Sequence, residues 1–340
     1  MDLDLSREQQ DLVAVYHAFF LKESPPSVVR SAEPCGFDPS LWSRVTRLGG
    51  PAIGVSEDLG GGGASLVDLV LIAEQLGSSL APIPLLEGMV AARLLAGAGD
   101  SGRKALDRLT GPDPAVATVA LMPARGGRAR MVPAGAIADL VVGLDGGDLI
   151  LVSSEPPIGR RNLGDSPVAD RSFGVERTVL ASGSNALDLF AIALDEWRIL
   201  TAGALAGLGT TALGLGVEYA KQRKQFGVPI GSFQSIARDL ADVATAVDGA
   251  RLLAREAAWA ADGCHSNSPA LAGMAFLFAG KTAQKASGVA LHVHGGYGFT
   301  LEYDVQLYYR RAKAWSLALG DPRRGLRALA EALFGPEVGI

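Results

Sequence analysis

Apolar positions in the N-terminal third of the chain recur with the period of an α-helix. The first such run follows Ser6, a residue type that caps helices, and its apolar side chains share a face. Runs of this kind occupy residues 5–21, 37–48, 66–76 and 82–98. The pattern predicts an all-helical N-terminal domain over residues 1–110.

The pattern changes in the middle of the chain, over residues 111–190. Pro, Gly and Asp interrupt short apolar runs, which cover residues 116–120, 140–144, 149–152 and 175–180. Short apolar runs between turn-forming residues are typical of strands joined by tight connections. We therefore expect a small antiparallel β domain between two helical regions.

The remaining residues, 191–340, return to a helical pattern. Apolar-periodic segments cover residues 194–219, 235–262, 270–293 and 303–319, and the second has the clearest stripe, with Leu240, Val243 and Val247 on one face. Four long helices with short connections predict a bundle. The expected fold class is mainly α, with an N-terminal helical domain, a small central β domain and a C-terminal four-helix bundle.

One stretch of the C-terminal region, residues 199–217, carries no charge and is long enough for a transmembrane helix. Five of its residues are glycines, and the spacing of Gly203 and Gly207 lets helices approach closely inside a soluble bundle. We predict a buried bundle helix and no membrane association. The acidic, amphipathic N-terminus is unlike a signal peptide, so we expect a cytoplasmic protein.

The amino-acid composition and the net charge exclude some classes of function for this chain. The chain has 340 residues, 48% of them hydrophobic and 20% charged, which is typical of a folded globular protein of two or three domains. A net charge of −5 argues against nucleic-acid binding. Any anionic ligand must therefore meet a local basic cluster. Cys35 and Cys264 are far apart, and the four histidines have no metal-binding spacing, so we expect neither a disulfide nor a metal site.

Residues 222–234, Gln-Arg-Lys-Gln-Phe-Gly-Val-Pro-Ile-Gly-Ser-Phe-Gln, connect two of the predicted bundle helices. The segment offers a positive charge, an aromatic face, two glycines and amide side chains, which together suit a dinucleotide. It is equally typical of a helix end with basic residues followed by a Pro/Gly turn. The residues alone leave both interpretations open.

The same segment resembles the acyl-CoA dehydrogenase family. The resemblance rests on Arg-Lys-Gln-Phe-Gly at 223–227, on Gln234, and on His-Gly-Gly-Tyr-Gly-Phe at 294–299. In that family both motifs lie in the C-terminal helical domain and contact an FAD that is held mainly by a neighbouring subunit. The resemblance implies these cofactor-binding residues: Arg223, Gln225, Phe226, Gln234, His292, Gly295 and Gly296.

The middle of the chain departs from the family pattern. A Thr-Glu-Pro…Gly-Ser-Asp loop and a Trp-Ile-Thr/Ser strand bind the flavin ring in family members, and neither motif is present here. Residues 122–128 stand where the loop is expected, and no Trp lies between Trp42 and Trp197. The resemblance therefore implies a shortened β domain without its own flavin-ring pocket.

The family's catalytic base is also missing. Most members have a Glu just after the last bundle helix, and this position falls on Leu319, followed by Asp321 where a flavin-contacting Thr is usual. A minority place the base directly before an Arg on the first bundle helix, where this chain has Trp197. Glu196 is one position further back, about 100° around the helix, and we expect it to be an exposed carboxylate. Glu196 and Asp321 remain weak candidates.

The resemblance thus implies a subunit that completes a partner's FAD site without supplying the base. The expected partner is a second acyl-CoA dehydrogenase chain carrying the catalytic Glu, in an α2β2 assembly that acts on a bulky, possibly steroid-derived acyl-CoA. An electron-transfer flavoprotein is the expected acceptor. Two alternatives stay open: a self-sufficient homomeric dehydrogenase that uses Glu196 or Asp321, and a scaffold protein without a flavin.

Overall fold

The computed structural model describes residues 4–111, 114–174 and 176–335. Six helices open the chain: α1 (Arg7–Glu23), α2 (Pro26–Ser31), α3 (Pro39–Thr46), α4 (Leu66–Ser79), α5 (Leu85–Gly97) and α6 (Asp100–Thr110). Helix α1 begins at a capping box, because Ser6 and Gln9 each accept the other's backbone N–H through their side chains. The helical pattern of the N-terminal third is confirmed.

Among the described residues of the middle region, six strands follow: β1 (Ala117–Val119), β2 (Arg128–Val132), β3 (Leu140–Asp145), β4 (Asp148–Ser153), β5 (Ala169–Ser172) and β6 (Arg177–Ser182). Strands β1, β3, β4 and β6 form one sheet in that order, and β2 pairs with β5 in a second. The first residue of the predicted run 175–180, Val175, lies outside the described residues.

The prediction of a purely antiparallel β domain is wrong at one edge, because β1 pairs with β3 in parallel. The chain leaves the first sheet after β1, forms β2 against β5, and returns at β3 in the same direction as β1. A parallel pair needs a long connection of this kind, whereas neighbouring antiparallel strands such as β3 and β4 need only a tight turn.

Up to residue 335, where the described part of the C-terminal region ends, the chain forms five α-helices: α7 (Gly183–Gln222), α8 (Gln234–Asp262), α9 (Ser268–His294), α10 (Val305–Ser316) and α11 (Pro322–Phe334). A hairpin of β7 (Lys224–Gln225) and β8 (Val228–Pro229) joins α7 to α8. The sequence pattern predicted a last helix over residues 303–319, whereas α10 ends at Ser316. The pattern did not predict α11. Gly320 has φ +87°, and Asp321 then caps α11 ahead of Pro322, which starts a new helix.

The chain divides into two compact units. The first comprises Met1–Ser27, Val70–Ala81 and Arg198–Ile340, and the second comprises Val28–Leu69 and Pro82–Trp197. The predicted domain boundaries near residues 110 and 190 remain predictions. The first unit contains the bundle, in which α9 packs against α8, α10 and α11. The second contains both sheets and the almost fully buried helix α5.

Glycines bring α4 and α7 into close contact in the first unit. A Cβ at Gly77 would overlap the carbonyl of Ala204, and a Cβ at Gly207 would overlap the carbonyl of Glu74. The buried Glu74 carboxylate receives two hydrogen bonds from Arg255 on α8, at 2.9 and 2.8 Å. The crossing confirms that the small-residue spacing of α7 serves close helix packing.

Helix α7 is long and apolar enough to cross a membrane by length and composition, but 72% of its most apolar window is buried within the protein. Between Ile199 and Ala212, the apolar side chains are almost all fully buried. This burial agrees with the prediction of a core helix.

We expect Gly207→Ala to lower the free energy of unfolding by about 1–3 kcal/mol, because overpacking at a rigid backbone contact forces the helices apart. The matched control is Gly214→Ala in the same helix, where a Cβ meets nothing within 4 Å. Removing that glycine should stabilise the helix by about 0.5–1 kcal/mol. Urea unfolding followed by circular dichroism measures both changes. Equal effects of the two substitutions would contradict the close contact of α4 with α7.

Candidate functional site

The segment between α7 and α8 is a tight hairpin built on the end of α7. The backbone N–H of Arg223 donates to the carbonyl of Tyr219 at 2.9 Å, and the carbonyl of Arg223 accepts from Ile230 at 2.8 Å. Lys224 pairs with Pro229, and Gln225 pairs with Val228. The two turn residues, Phe226 and Gly227, have φ values of +52° and +84°, as a two-residue hairpin of this hand requires.

The side chains of this hairpin face solvent. Phe226 is 94% exposed, and its recorded ring contact is with Phe233, edge to face at 6.2 Å. Arg223 and Gln225 are exposed, as is Gln234 in the first turn of α8. Within the described residues the Arg223 guanidinium makes no ion pair. The hairpin therefore presents a positive charge and an aromatic ring that the chain itself does not use.

The second predicted motif lies at the end of α9, where its two histidines have different environments. His292 is exposed, whereas His294 is buried, with Nδ1 2.7 Å from the carbonyl of Ala290. The helix ends at Gly295, whose φ of +63° and ψ of −143° suit only glycine. Gly296 has no such backbone requirement, and a Cβ there would meet nothing within 4 Å.

The fold brings the two motifs together on one support. The His294 ring stacks on Tyr219, with centroids 4.2 Å apart, so the end of α9 lies against the end of α7. Val293 belongs to the same apolar cluster as Ile230, which follows the hairpin, and Leu240 of α8. All seven residues that the family resemblance implies therefore lie on the hairpin, in the first turn of α8 or at the end of α9.

A cleft of about 330 Å³ opens beside His292. Its lining residues are Gly288, Leu291, His292, Gly295, Phe299 and Tyr309. Phe299 is 72% exposed, so the cleft has an aromatic edge that solvent reaches. An aromatic edge, an imidazole and open backbone at glycine can accept a flat heterocycle, and the guanidinium of Arg223 on the hairpin can bind phosphate. These residues fit one part of an FAD molecule.

The positions where a catalytic base was sought show no free carboxylate. Leu319 lies in the irregular segment after α10 and has no titratable group. The Asp321 carboxylate caps α11, accepting from the backbone N–H of Arg323 at 3.0 Å. That hydrogen bond, with a smaller contribution from the Arg323 charge, lowers the pKa of Asp321 and makes it a weaker base.

The expectation that Glu196 is an exposed carboxylate is wrong. Glu196 is 7% exposed, and its Oε1 accepts from Nη2 and Nε of Arg93 at 2.7 and 3.0 Å. Arg93 also donates from Nη1 to the carbonyl of Gly54 at 2.9 Å. The sequence contains one signal of this pair that we missed. Arg93 is the single cation in the apolar helix α5, and a buried cation needs a partner.

Trp197, at the family's alternative base position, is also buried. It lies close to Glu87 of α5, another residue that the sequence pattern did not single out. Burial raises the pKa of Glu87, and its own backbone N–H, together with the nearby Trp197 side chain, opposes the rise. An indole cannot take the α-proton of a substrate, so this second position is occupied by a group without base chemistry.

Comparison with known proteins identifies the family. Residues 6–105 match the acyl-CoA dehydrogenase N-terminal domain, and residues 187–334 match the acyl-CoA dehydrogenase C-terminal domain. The chain is similar to acyl-CoA dehydrogenase IpdE2 of Mycobacterium tuberculosis, with 32% identity over 95% of this chain and 96% of the relative.

Two solved structures share the fold. One is the ChsE4–ChsE5 complex from Mycobacterium tuberculosis, with a TM-score of 0.85 and 24% identity over 99% of this chain and 100% of the other. The second is a variant of the Tcur3481–Tcur3483 steroid acyl-CoA dehydrogenase, with a TM-score of 0.84 and 24% identity over 96% and 97%. The two domain matches and the full-length similarity together show that this chain belongs to the acyl-CoA dehydrogenase family, whose members are FAD-dependent oxidoreductases.

Proposed function

We propose that this chain is the non-catalytic subunit of a heteromeric acyl-CoA dehydrogenase and completes an FAD site that a partner chain mainly holds. One observation carries the proposal. The residues that the family resemblance assigns to FAD contact, around Arg223, are present and exposed, while the positions that it assigns to the catalytic base hold Leu319 and Trp197. A chain that offers contacts to a cofactor but no base chemistry needs a partner that supplies the rest.

The flavin-contacting residues support this role through the chemistry of their exposed groups. Arg223 offers a guanidinium fork to a pyrophosphate, and the amides of Gln225 and Gln234 offer both donors and acceptors. Phe226 offers an apolar face that excludes water. When bound, FAD supplies the hydride acceptor. These residues would hold and orient it, and none of them takes part in proton transfer.

The self-sufficient alternative is weakened by the state of its candidate bases. Glu196 shares a nearly buried ion pair with Arg93, and Asp321 is engaged as a helix cap. The Oε1 of Glu196 already accepts two hydrogen bonds from Arg93, so this oxygen is engaged within the chain. Neither carboxylate is placed to exchange a proton with a substrate at low cost.

The bundle supports the presence of a partner through its exposed apolar side chains. Helix α11 has no buried residue, so its apolar side chains are accessible to solvent. Helices α8 and α9 also have exposed apolar side chains. The exposed large apolar residues on these helices are Leu252, Trp259, Met274, Phe278, Leu326, Leu333 and Phe334. An accumulation of this kind on neighbouring helices is typical of a protein interface. We assign it to an α2β2 heterotetramer.

The substrate class and the electron acceptor follow from the resemblance and from the neighbours. The Tcur3481–Tcur3483 enzyme is described as a steroid acyl-CoA dehydrogenase, and ChsE4–ChsE5 as a complex. We propose a bulky, steroid-derived acyl-CoA as the substrate of the assembly. An electron-transfer flavoprotein is the proposed acceptor, and the cytoplasm the proposed location.

The experiment that tests the proposed function is purification of the chain alone and with a co-expressed partner that carries the catalytic Glu. We expect a colourless protein alone. With the partner we expect a yellow complex with about half a flavin per chain, because two chains share each site. Visible absorbance and total protein give the ratio. A yellow homomeric protein with one flavin per chain that bleaches with an acyl-CoA would overturn the proposal.

Arg223→Ala in the complex should weaken FAD binding roughly tenfold to a hundredfold, because a hydrogen bond to a charged group contributes about 1.5–3 kcal/mol. Arg223→Lys should restore part of the loss through its charge. Arg160→Ala removes the same charge from an exposed loop of the other unit and should leave binding unchanged. Flavin release during dilution, followed by fluorescence, measures the affinities. Equal retention of FAD in both alanine variants would remove the role of Arg223.

Alanine substitutions at Gly296 and Gly295 distinguish a glycine that the cofactor requires from one that the fold requires. Gly296→Ala has room within the chain and should leave the unfolding midpoint unchanged, while close approach of a bound group should make it lose FAD. Gly295→Ala is the contrasting variant, since its positive φ should cost about 1–2 kcal/mol of stability even without a cofactor. Thermal unfolding and flavin content are measured for both. Normal flavin content in Gly296→Ala would show that nothing approaches this backbone.

A further inference from the structure

Four aromatic rings form a cluster where α7 and α9 end. They belong to Tyr219 in the last turn of α7, to His294 at the end of α9, and to Tyr297 and Tyr303 in the segment that follows α9. None of the four belongs to the seven residues that the family resemblance assigns to FAD contact. The aromatic cluster nevertheless connects the two places where those seven residues lie, because Tyr219 precedes the hairpin and His294 precedes Gly295.

His294 is the most firmly held ring of the aromatic cluster. The residue is 7% exposed, whereas Tyr297 is 53% exposed and the other two tyrosines are half-buried. Nδ1 of His294 lies 2.7 Å from the carbonyl oxygen of Ala290, one turn earlier in α9. A carbonyl oxygen can only accept, so Nδ1 carries the proton and donates. This hydrogen bond fixes the plane of the imidazole relative to the backbone of α9.

The face of this imidazole lies on the phenol ring of Tyr219. The two ring centroids are 4.2 Å apart, and the planes make an angle of 28°. Tyr303 is roughly perpendicular to both rings, at centroid distances of 5.8 Å from His294 and 6.5 Å from Tyr219. Aromatic pairs with these geometries attract each other beyond the area that they bury. The stack therefore holds Tyr219 against the end of α9.

Tyr219 in turn holds the backbone of Arg223. The Tyr219 carbonyl accepts from the N–H of Arg223 at 2.9 Å, and the Arg223 carbonyl accepts from the N–H of Ile230 at 2.8 Å. The last two residues of α7 are exposed, so Tyr219 and the small, buried Ala220 supply the packing of this turn. A helix end with so little packing opens easily unless a side chain anchors it. Tyr219 is the large side chain that can anchor this end.

We infer that His294 is a positioning residue for Arg223 and acts through its stack on Tyr219. The contacts run from the backbone of α9 to the imidazole, from there to the phenol ring, and through the Tyr219 carbonyl to the N–H of Arg223. His294 does not have to touch a ligand in this role. The inference rests on the proposed function for its consequence: Arg223 on an ordered backbone binds a phosphate more tightly, because less conformational entropy is lost on binding.

The first test is amide hydrogen exchange in the isolated full-length chain, measured residue by residue by NMR. We expect His294→Ala to accelerate exchange at the Arg223 and Ile230 amides about threefold to tenfold, because loss of the stack lets the turn open more often. Amides in the middle of α8 should keep their rates. No acceleration at the two hairpin amides, or equal acceleration of all amides, would overturn the inference, since the latter is the signature of a general loss of stability.

The matched control for this test is His265→Ala. The His265 ring stacks on Trp259 with centroids 4.6 Å apart, at the opposite end of α8 from the hairpin. The substitution therefore removes the same kind of contact from the same bundle. The Arg223 and Ile230 amides should exchange in this variant as they do in the wild type.

Two further substitutions separate the ring face of His294 from its hydrogen bond. His294→Phe keeps a flat ring for Tyr219 and should restore most of the protection at the hairpin amides. His294→Asn keeps a donor for the Ala290 carbonyl but has no ring, and it should behave like His294→Ala. The opposite order would contradict the role of the stack. If the variants at His294 do not fold, Tyr219→Phe and Tyr219→Leu give the same contrast from the other side of the stack.

The second test is a double-mutant cycle on FAD affinity in the complex with the partner chain. His294→Ala should weaken FAD binding about threefold to tenfold, and it should have little further effect in a chain that already carries Arg223→Ala. Additive effects would show that His294 acts by another route and would overturn the inference. The two failures are distinguishable. A complex without FAD overturns the proposed function, whereas exchange in the isolated chain still decides whether His294 positions Arg223.

Discussion

The close approach of α4 and α7 is the constraint on which the first unit depends. Gly77 and Gly207 leave no room for a side chain between the two backbones. The same crossing buries Glu74, and a buried carboxylate is tolerated only when a partner such as Arg255 neutralises it with two hydrogen bonds. The contact therefore fixes α4, α7 and α8 together. Because the hairpin is hydrogen-bonded to the last turn of α7, its position follows from the same constraint.

The candidate site consists of packed side chains that support the hairpin and of exposed side chains that are available to a ligand. Tyr219, Ile230 and His294 are packed among other side chains, whereas Arg223 and Phe226 are not. Phe226 holds a left-handed backbone conformation that costs about 1–2 kcal/mol, and the ring gains almost no burial within the chain. The tight hairpin requires this conformation, and it leaves the Phe226 ring and the Arg223 guanidinium exposed, as the proposed contact with a cofactor needs.

Local pattern was enough for most of the long helices, but not for the pairing of strands or for buried ion pairs. The apolar run at 140–144 indicated the strand β3. No local pattern predicts that β1 pairs with β3 in parallel, because the two strands are separated by a long connection. Helix α11 had a readable start in Asp321 and Pro322, which the comparison with a family motif led us to interpret as a lost catalytic segment. The burial of Glu196 depends on Arg93, which is too distant in sequence for helical periodicity to connect the two.

Each residue considered as a catalytic base is unsuited to that role for a different reason, which supports the proposal that a partner supplies the base. Leu319 and Trp197 have no carboxylate. The Asp321 carboxylate caps α11, and the Glu196 carboxylate forms an ion pair with Arg93. A relocated base would need a carboxylate that is partly desolvated, free of strong partners and raised in pKa. Glu87 has the raised pKa, but it lies beside the indole of Trp197 and is engaged by its own backbone. The residues that the family resemblance assigns to FAD contact meanwhile retain a charge, an aromatic ring and an open glycine, which supports the proposed role of completing a cofactor site.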